Sequence, residues 1–512
     1  MSVSTAVSGV AELIDAFAAA APDRLDAEYQ VLVAALWHDG EVTAAALPAV
    51  PELVARLEEA DDRRKGHLAV LLGLLAEAEY PAADGEITTA VRGGLDRYLG
   101  LLGSRAKDDP LSLAVRYLLS HFPGDRDPIL AVAAGLDLDP DDLSRLDRAL
   151  APLDPGRPEL GRVFPSPAVW TLEESEREFD QGWIRTLSPE QIVGYWQDDT
   201  HTVFGSTGAK AYWAVRNGTP QTLPAPVLAP RDSIPRPADP DTDIFGPHAA
   251  ALRCPDCGGR LEFEPRAARC TGCPSAYPIA SGILDLTAPI GAGAGAGDFQ
   301  FKLAEMPSMG LFYEAHARPN FLRVAGSNWG GQVSPADEDA YIARHVRPVD
   351  GPVLDLAAGA GRWTDVLASA VGSARVIALD LNPPMLTVLR TRLPRVPAVM
   401  ASAATLPLRD ASLGAVLCWN ALQAFPADAP RAIAEVGRCL RPGGTFTLMT
   451  FKNSPDPINR YFVRSHRFPQ HSAGLQLFDS DELKEWLAAA GLVVRDESGP
   501  GTFVFITAER SG

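Results

Sequence analysis

Apolar residues recur at two different spacings along the chain. Up to about residue 150 they follow helical spacing, most clearly at residues 32–37, 53–57 and 68–75. Near the carboxyl end, short apolar runs such as residues 353–356 and 415–419 alternate with helical patterns. The two spacings predict a helical amino-terminal part and a carboxyl-terminal part in which strands alternate with helices.

Residues 1–165 are expected to form a helical domain. Pro48, Pro51 and Pro110 mark helix starts within it. Residues 37–51 resemble a HEAT-type repeat, and such repeats stack into solenoids. An ordinary helical bundle remains the alternative, and neither arrangement indicates catalysis in this part of the chain.

Four cysteines have the spacing of a metal site. Cys254 and Cys257 are separated by two residues, as are Cys270 and Cys273, and twelve residues lie between the two pairs. Two knuckles at this spacing can place four thiolates tetrahedrally around Zn²⁺. We therefore expect a structural zinc ribbon at residues 251–287, which unfolds when the metal is lost. The remaining thiols, Cys418 and Cys439, fall within a strand and a helix and are expected to be buried.

The segments between these parts differ in composition. Residues 166–218 are rich in aromatic residues, which we interpret as core residues of a segment of unknown fold. Residues 219–250 form a Pro-rich linker, and residues 288–300 form a Gly/Ala linker. The second linker is expected to be flexible and to separate the zinc ribbon from a last domain at residues 301–512.

The last domain contains a strand, a glycine turn and a helix start at residues 353–362. Gly359 and Gly361 allow a sharp turn and the close approach of a ligand, and the following helix offers free backbone N–H groups. The next strand ends at Asp380, about twenty residues further on, where a carboxylate can bind ribose hydroxyls. A glycine turn alone does not separate NAD, FAD and other nucleotide folds.

Two further motifs narrow the assignment. Leu406-Pro407 lies in a segment that ends at Asp410, and Arg441-Pro-Gly-Gly444 precedes a strand at 445–451. There are thus four motifs in order: the glycine turn, the acidic strand end, the Leu-Pro segment and the Arg-Pro-Gly-Gly turn. Together they resemble the motifs of class I S-adenosylmethionine (SAM)-dependent methyltransferases of the ubiquinone and menaquinone type. The resemblance covers roughly residues 340–510 and implies a Rossmann-like α/β fold with SAM as cofactor.

The chain departs from the family pattern at three positions. Ala357 replaces the first glycine of the turn, Ser402 replaces an aspartate that contacts the adenine amine, and Gly414 replaces another aspartate. A serine still accepts one hydrogen bond. These substitutions are the only observation that favours a third function class, a binding protein with an inactive methyltransferase domain.

The resemblance also implies roles for individual residues. Asp355, with Ala357, Gly359 and Gly361 of the turn, faces the amino-acid end of SAM, and Asp380 holds the ribose. The other cofactor contacts lie around the adenine and near the sulfonium, and they are Leu381, Met385, Ser402, Ala403, Asn420 and Ala421.

Candidate acceptor-binding residues flank the motifs. His466 and His471 could act as general bases, and Arg460, Arg464 and Arg467 could hold an anionic acceptor. They follow the strand at 445–451, where this family often builds a substrate lid. Upstream, Tyr313 is expected to cover SAM, with Glu314 and Arg318 facing the substrate. Solvated or packing helices are the alternatives.

The cysteine pairs and the following Tyr277-Pro-Ile sequence resemble two zinc modules. One is the zinc-ribbon activator of tRNA and protein methyltransferases, and the other is the amino-terminal module of rRNA guanine methyltransferases. This resemblance favours a macromolecular acceptor, either RNA or a peptide or protein docked by the helical repeats.

The distribution of charge along the chain favours a small-molecule acceptor. Residues 301–512 contain 21 Lys and Arg against 20 Asp and Glu, whereas residues 1–300 contain 25 against 45. Because an acidic surface repels phosphates, nucleic acid is disfavoured. We therefore expect transfer to a small molecule, in specialised biosynthesis, with a protein or peptide partner possible through the helical domain. Without a signal peptide or an apolar run long enough for a membrane span, we expect a cytoplasmic protein.

Overall fold

The computed structural model of the chain describes residues 3–82, 84–154, 156, 174–220, 243–287, 308, 310, 313–314, 318–467 and 473–512. The chain divides into two compact units. The first, here the helical unit, comprises Met1–Val169, Thr186–Leu223 and Ser454–Leu475. The second, here the sheet unit, comprises Trp170–Arg185, Pro224–Asn453 and Gln476–Gly512.

In the helical unit, the described residues up to 150 form short helices, two of which are buried over most of their length. In chain order they are α1 Val3–Ala19, α2 Leu25–Leu36, α3 Ala46–Glu59, α4 Asp62–Glu77, α5 Glu86–Arg92, α6 Leu95–Gly103, α7 Pro110–Leu119, α8 Arg126–Ala134 and α9 Pro140–Leu150. The buried helices are α4, in which every residue from Gly66 to Glu77 is buried, and α7, in which every residue from Leu111 to Leu119 is buried. Their largely apolar sequences match this position, because an amphipathic helix would leave one face exposed. The prediction of a helical region is confirmed.

Residues within the expected HEAT-type repeat form a small hairpin. Strand β1 (Trp37–His38) pairs with β2 (Glu41–Val42), and Asp39 and Gly40 form the turn with positive φ angles. The relation to HEAT repeats remains a prediction.

The aromatic-rich region supplies helices to both units. Helix α10 (Glu174–Ile184) belongs to the sheet unit, whereas α11 (Pro189–Asn217) belongs to the helical unit. A capping box formed by Ser188 and Gln191 starts α11, because the two side chains satisfy free backbone N–H groups. Trp196 and Tyr212 of α11 are buried, as expected of core aromatics.

The helical unit also includes a segment that the sequence motifs place in the last domain. Residues Ser454–Leu475, with helix α17 (Pro457–Arg464), pack among the helices instead. Close contact with α11 is possible because Gly205 and Gly208 have no side chains, and a Cβ at Gly208 would overlap the Phe462 ring. This differs from the predicted boundary of 301–512.

Within the described residues, the sheet unit contains an eleven-stranded mixed sheet. Its strands are β3 Leu261–Glu264, β4 Ala267–Cys270, β5 Ala276–Ala280, β6 Ile283–Asp285, β7 Val353–Leu356, β8 Val376–Asp380, β9 Ala398–Met400, β10 Leu413–Trp419, β11 Leu440–Phe451, β12 Leu492–Ser498 and β13 Phe503–Arg510. They lie in the order β12-β13-β11-β10-β7-β8-β9-β6-β5-β4-β3. The strands from β11 to β6 in this order are parallel, as predicted for a Rossmann-like domain.

Helices connect and cover the strands of this sheet. Beside α10 they are α12 Arg318–Gly326, α13 Pro335–His345, α14 Arg362–Val371, α15 Pro383–Arg392, α16 Ala429–Cys439 and α18 Ser480–Ala489. The predicted turn at Arg441–Gly444 lies within β11, where the register to β10 shifts and Gly443 has a positive φ.

The strands of the predicted zinc ribbon, residues 251–287, are part of this sheet and not a separate module. Its strand β6 pairs in parallel with β9, with Leu284 opposite Val399. Arg390 of α15 is almost fully buried and donates to the carbonyl of Ser281 in the β5–β6 turn. The ribbon strands and the last domain therefore share one sheet, contrary to the expectation that a linker keeps them apart. The Gly/Ala linker itself lies outside the described residues.

Part of the predicted Pro-rich linker is also packed. Ile244 and Phe245 belong to the same hydrophobic core as ribbon residues Leu261 and Tyr277. The rest of the linker, residues 221–242, lies outside the described residues.

Candidate functional site

The direction in which the chain adds successive parallel strands to the sheet reverses at one place. From β7 the chain adds β8 and β9 on one side, then returns to place β10 on the other side. Ligands of open α/β sheets bind at such a switch point, outside the carboxyl ends of the strands. The crevice between the ends of β7 and β10 is therefore the candidate site.

The glycine turn lies at the end of β7. Ala357, Gly359 and Gly361 all have positive φ angles, of 57°, 55° and 88°. A side chain at Gly361 would crowd Leu389, whereas the space around Gly359 is open. Among the described residues no side chain caps α14 at Gly361, so its first N–H groups are available to a ligand.

Asp355 is buried at the end of β7. Its carboxylate accepts a hydrogen bond of 2.6 Å from the Thr364 hydroxyl. Burial raises the pKa of Asp355 to about 7, and the Thr364 hydrogen bond opposes this rise.

Asp380 ends β8 beside the turn. Its two carboxylate oxygens accept from the backbone N–H groups of Gly359 and Asn382, each at 2.8 Å. Burial raises the pKa of Asp380 as well, against the effect of these N–H groups. Two carboxylates with destabilised charges thus flank the glycine turn.

The other predicted cofactor residues follow the neighbouring strands. Met385 is buried in α15, where Asn382 caps the helix, whereas Leu381 is 39% exposed. Ser402 and Ala403 follow β9 and are half-buried, and the Ser402 hydroxyl accepts from the Ala404 N–H. Asn420 and Ala421 follow β10 and are buried.

Tyr313 packs against the turn. Its ring contacts the small cluster of Ala360, Met385 and Val388, and burial raises the pKa of its hydroxyl. The neighbouring Glu314 forms an ion pair of 2.5 Å with Arg392, whose guanidinium also donates to the Ala360 carbonyl.

Arg318 contacts residues that no sequence motif singled out. It forms an ion pair of 2.9 Å with Glu338, and Glu338 accepts from the Trp419 indole at 2.6 Å. The guanidinium also lies 4.7 Å from the centre of the Trp363 ring. Glu338 and Trp419 are 81 residues apart, and no local pattern predicts their contact.

The basic residues after β11 lie in the helical unit and not in the sheet unit. Arg464 pairs with Asp39, Arg460 donates to the Ser454 carbonyl, and the Arg467 backbone N–H donates to Thr202. These contacts differ from the expected substrate lid.

His466 is likewise enclosed in the helical unit. It is 5% exposed, and its Nδ1 lies 2.9 Å from the Phe462 carbonyl. Burial lowers its pKa to about 4, so that the ring is neutral. His471 lies outside the described residues.

The four cysteines of the ribbon converge. The Sγ atoms of Cys254, Cys257, Cys270 and Cys273 all lie within 4.8 Å of one another. Two of the distances are 3.7 and 3.3 Å, close to the ~3.8 Å edge of a tetrahedron with Zn–S bonds of about 2.3 Å. The residues present therefore fit a closed four-thiolate zinc site. Cys418 and Cys439 are buried elsewhere, as expected.

No described helix combines the length and the apolar character that a membrane-crossing helix requires.

Comparison with known proteins connects the sheet unit to methyltransferases. An uncharacterized chloroplastic methyltransferase of Arabidopsis thaliana is 28% identical over 221 residues, which are 41% of this chain and 60% of the relative. The demethylmenaquinone methyltransferase of Clavibacter sepedonicus is 39% identical over 150 residues, covering 28% and 57%.

A third relative is the malonyl-[acyl-carrier protein] O-methyltransferase of Methylococcus capsulatus, 37% identical over 111 residues. That match covers 21% of this chain and 40% of the relative. The chain thus spans less than two thirds of the length of each of the three. Residues 353–444, from β7 to the Arg-Pro-Gly-Gly motif, match the family model described as a methyltransferase domain, and this part of the sheet unit is a methyltransferase domain.

Proposed function

We propose that the chain is a SAM-dependent methyltransferase with a small-molecule acceptor. The observation that best supports this proposal is the pair of buried carboxylates, Asp355 and Asp380, at the glycine turn. Among the described residues neither forms an ion pair with a basic side chain. SAM carries positive charge on its sulfonium and its amino group, and such a cofactor compensates carboxylates that are otherwise costly to ionise.

The proposed cofactor contacts follow from the strand ends. The Asp380 carboxylate accepts from the ribose hydroxyls, and Asp355 and the backbone of the turn bind the amino-acid end. Met385 and Leu381 enclose the adenine with Ser402 and Ala403 at its edge, while Tyr313 covers the site. Asn420 and Ala421 then lie at the acceptor side of the crevice.

The reaction is an in-line displacement. A lone pair on the acceptor forms a bond to the methyl carbon while the bond from that carbon to the SAM sulfur breaks, and S-adenosylhomocysteine leaves. The chain aligns the two reactants and excludes water. Any proton on the acceptor atom passes to solvent or to a base, a role for which His471 remains a prediction.

We also propose that the four cysteines hold a structural Zn²⁺. All four thiolates converge on one point, so the site has no open position for a substrate. The metal would stabilise a strand group that is too small to form its own core.

Calorimetric titration with SAM tests the cofactor assignment. D380N should weaken SAM binding about 10- to 100-fold, because the charge-assisted hydrogen bonds to the ribose are lost. The control D365N removes an exposed carboxylate one residue beyond Thr364 and should bind SAM normally. Equal affinities for the two variants would refute the proposed role of Asp380.

Transfer of a labelled methyl group tests the acceptor class. Small metabolites extracted from cells should become labelled, whereas bulk RNA and protein from the same cells should not. Labelling of RNA or protein alone would replace this proposal with a macromolecular acceptor.

A further inference from the structure

The strands on both sides of the switch point end in left-handed residues that are not glycine. Ala357 after β7 and Asn420 after β10 both have φ near 57°. Asparagine tolerates this conformation better than other residues with side chains. Backbone strain of this kind persists only where the surrounding structure enforces it. The position of Asn420 at the crevice is thus tightly determined.

A chain of buried hydrogen bonds ends at Asn420. The Thr450 hydroxyl of β11 donates to Gln423 Oε1 at 2.9 Å, and Gln423 Nε2 donates to Asn420 Oδ1 at 3.0 Å. The three residues are 0%, 2% and 8% exposed, in the same order. Buried amides are held firmly by such bonds because an unpaired polar group costs free energy.

The chain of bonds determines which end of the Asn420 amide is free. Its Oδ1 is used by Gln423, so Nδ2 is the group left for another partner. Within the described residues Nδ2 makes no hydrogen bond, and it is not among the polar atoms sealed in the interior without a partner. It therefore remains an accessible N–H donor at the end of β10.

We propose that Thr450 and Gln423 are positioning residues that hold Asn420 with its N–H donor directed at the methyl acceptor. The acceptor then carries a carbonyl or carboxylate oxygen beside the atom that is methylated. This inference rests on the proposed function of the crevice. An oxygen lone pair satisfies the donor, whereas a cationic or purely hydrocarbon neighbour leaves it unpaired, and buried sites discriminate strongly on that basis.

Methyl transfer to matched probes tests the acceptor class. Salicylate is compared with phenol, and 2-hydroxy-1,4-naphthoquinone with 2-naphthol, since only the first member of each pair has a neighbouring carbonyl or carboxylate oxygen. Transfer should be confined to the first members. Equal transfer within a pair, or transfer to none of the four by a protein that binds SAM, overturns the assignment of the acceptor.

Variants test the positioning role with the best probe as acceptor. T450V removes the hydroxyl at constant size and should raise the acceptor KM about fivefold or more, with the SAM dissociation constant within about twofold of wild type. T450S should restore most of the affinity. T447V is the matched control, because Thr447 is a buried threonine of the same strand outside this chain of bonds.

Three outcomes of the variant experiment would contradict the proposal. They are equal KM values for T450V and T450S, an effect of T447V as large as that of T450V, and a parallel loss of SAM affinity in T450V. The last outcome would assign Asn420 to the cofactor. Failure of SAM binding in the wild type would instead refute the proposed function itself.

The direction of the amide is measurable without any acceptor. In a crystal structure at atomic resolution the C–O bond of about 1.23 Å differs from the C–N bond of about 1.33 Å. The shorter bond of the Asn420 amide should point towards Gln423. The reverse orientation would overturn the proposal.

Discussion

At the scale of single residues, Ala357 carries a measurable conformational cost. Its φ of 57° is unfavourable for alanine, and glycine adopts it freely. We expect A357G to raise the free energy of unfolding by about 0.5–1 kcal/mol, after allowing for the added freedom of the unfolded chain. Urea denaturation measures the difference.

The next residue provides the control for this substitution. Ala358 is buried and has no positive φ. A358G should therefore destabilise the protein, since glycine adds entropy to the unfolded chain without relieving strain. If both variants were destabilised equally, the strain at Ala357 would be negligible.

Glu77 should make the stability of the helical unit depend on pH. Burial raises the pKa of Glu77 to about 7, although the Tyr117 and Tyr461 hydroxyls donate to the carboxylate. Because the folded pKa exceeds the unfolded value, the stabilising contribution is complete below the unfolded pKa. It is lost as the pH rises through about 7.

The isosteric variant E77Q removes this titration. Between pH 4.5 and 8 the free energy of unfolding of the wild type should fall by about 1–3 kcal/mol more than that of E77Q. Urea denaturation across this range measures both. Parallel curves for the two proteins would show that Glu77 keeps an ordinary pKa.

At the level of residues, local geometry was predictable from the sequence. Gly359 and Gly361 form the expected turn and Asp380 ends the expected strand, whereas their binding roles remain predictions. Glu338 and Gln423 were missed, since their roles depend on contacts with residues brought together only by the fold.

At the scale of elements, the packing of α17 against α11 depends on the absence of side chains at Gly205 and Gly208 of α11. We expect G208A to lower the free energy of unfolding by about 1–3 kcal/mol, because its Cβ overlaps the Phe462 ring. Thermal and urea denaturation would both report the loss.

A substitution at another glycine of α11 distinguishes the effect of this overlap from the effect of helix propensity. Nothing lies within 4 Å of a Cβ at Gly194. G194A should therefore stabilise the helix by about 0.5–1 kcal/mol. Stabilisation by G208A as well would contradict the close packing of α17.

Removal of the proposed Zn²⁺ should affect strands beyond residues 251–287. Because β6 pairs with β9, a chelator should speed amide hydrogen exchange in β9 as well as in the ribbon strands. Strands β12 and β13, at the opposite end of the sheet, serve as the internal control. Exchange that changes only in residues 251–287 would indicate that the ribbon unfolds independently.

The existence of most elements was predictable, but not their partners. The Cys spacing predicted that the four thiols converge, and alternating strands and helices predicted the parallel sheet. The joining of ribbon and sheet was not predicted, because Ile283–Asp285 is a short strand without a pattern that specifies its neighbour.

At the scale of the whole molecule, two compact units should unfold separately. In differential scanning calorimetry, saturating SAM should raise the temperature of one transition, that of the sheet unit, by an amount that grows with ligand concentration. D380N should show a much smaller shift. Equal shifts of all transitions would mean that the units unfold cooperatively.

The boundary between the units could not be derived from the sequence. Tyr461 contacts Glu77 across 384 residues, and Asp456 accepts from Tyr212 across 244. Sequence motifs assigned residues 454–475 by their neighbours along the chain, and such an assignment cannot detect contacts of this separation.

The inclusion of Ser454–Leu475 in the helical unit has a consequence for synthesis. The surface of α11 at Gly205 and Gly208 leaves the ribosome roughly 250 residues before the segment that covers it. At translation rates of about 5–20 residues per second, that delay is on the order of tens of seconds. The amino-terminal helices therefore remain partly uncovered until most of the sheet unit has been synthesised.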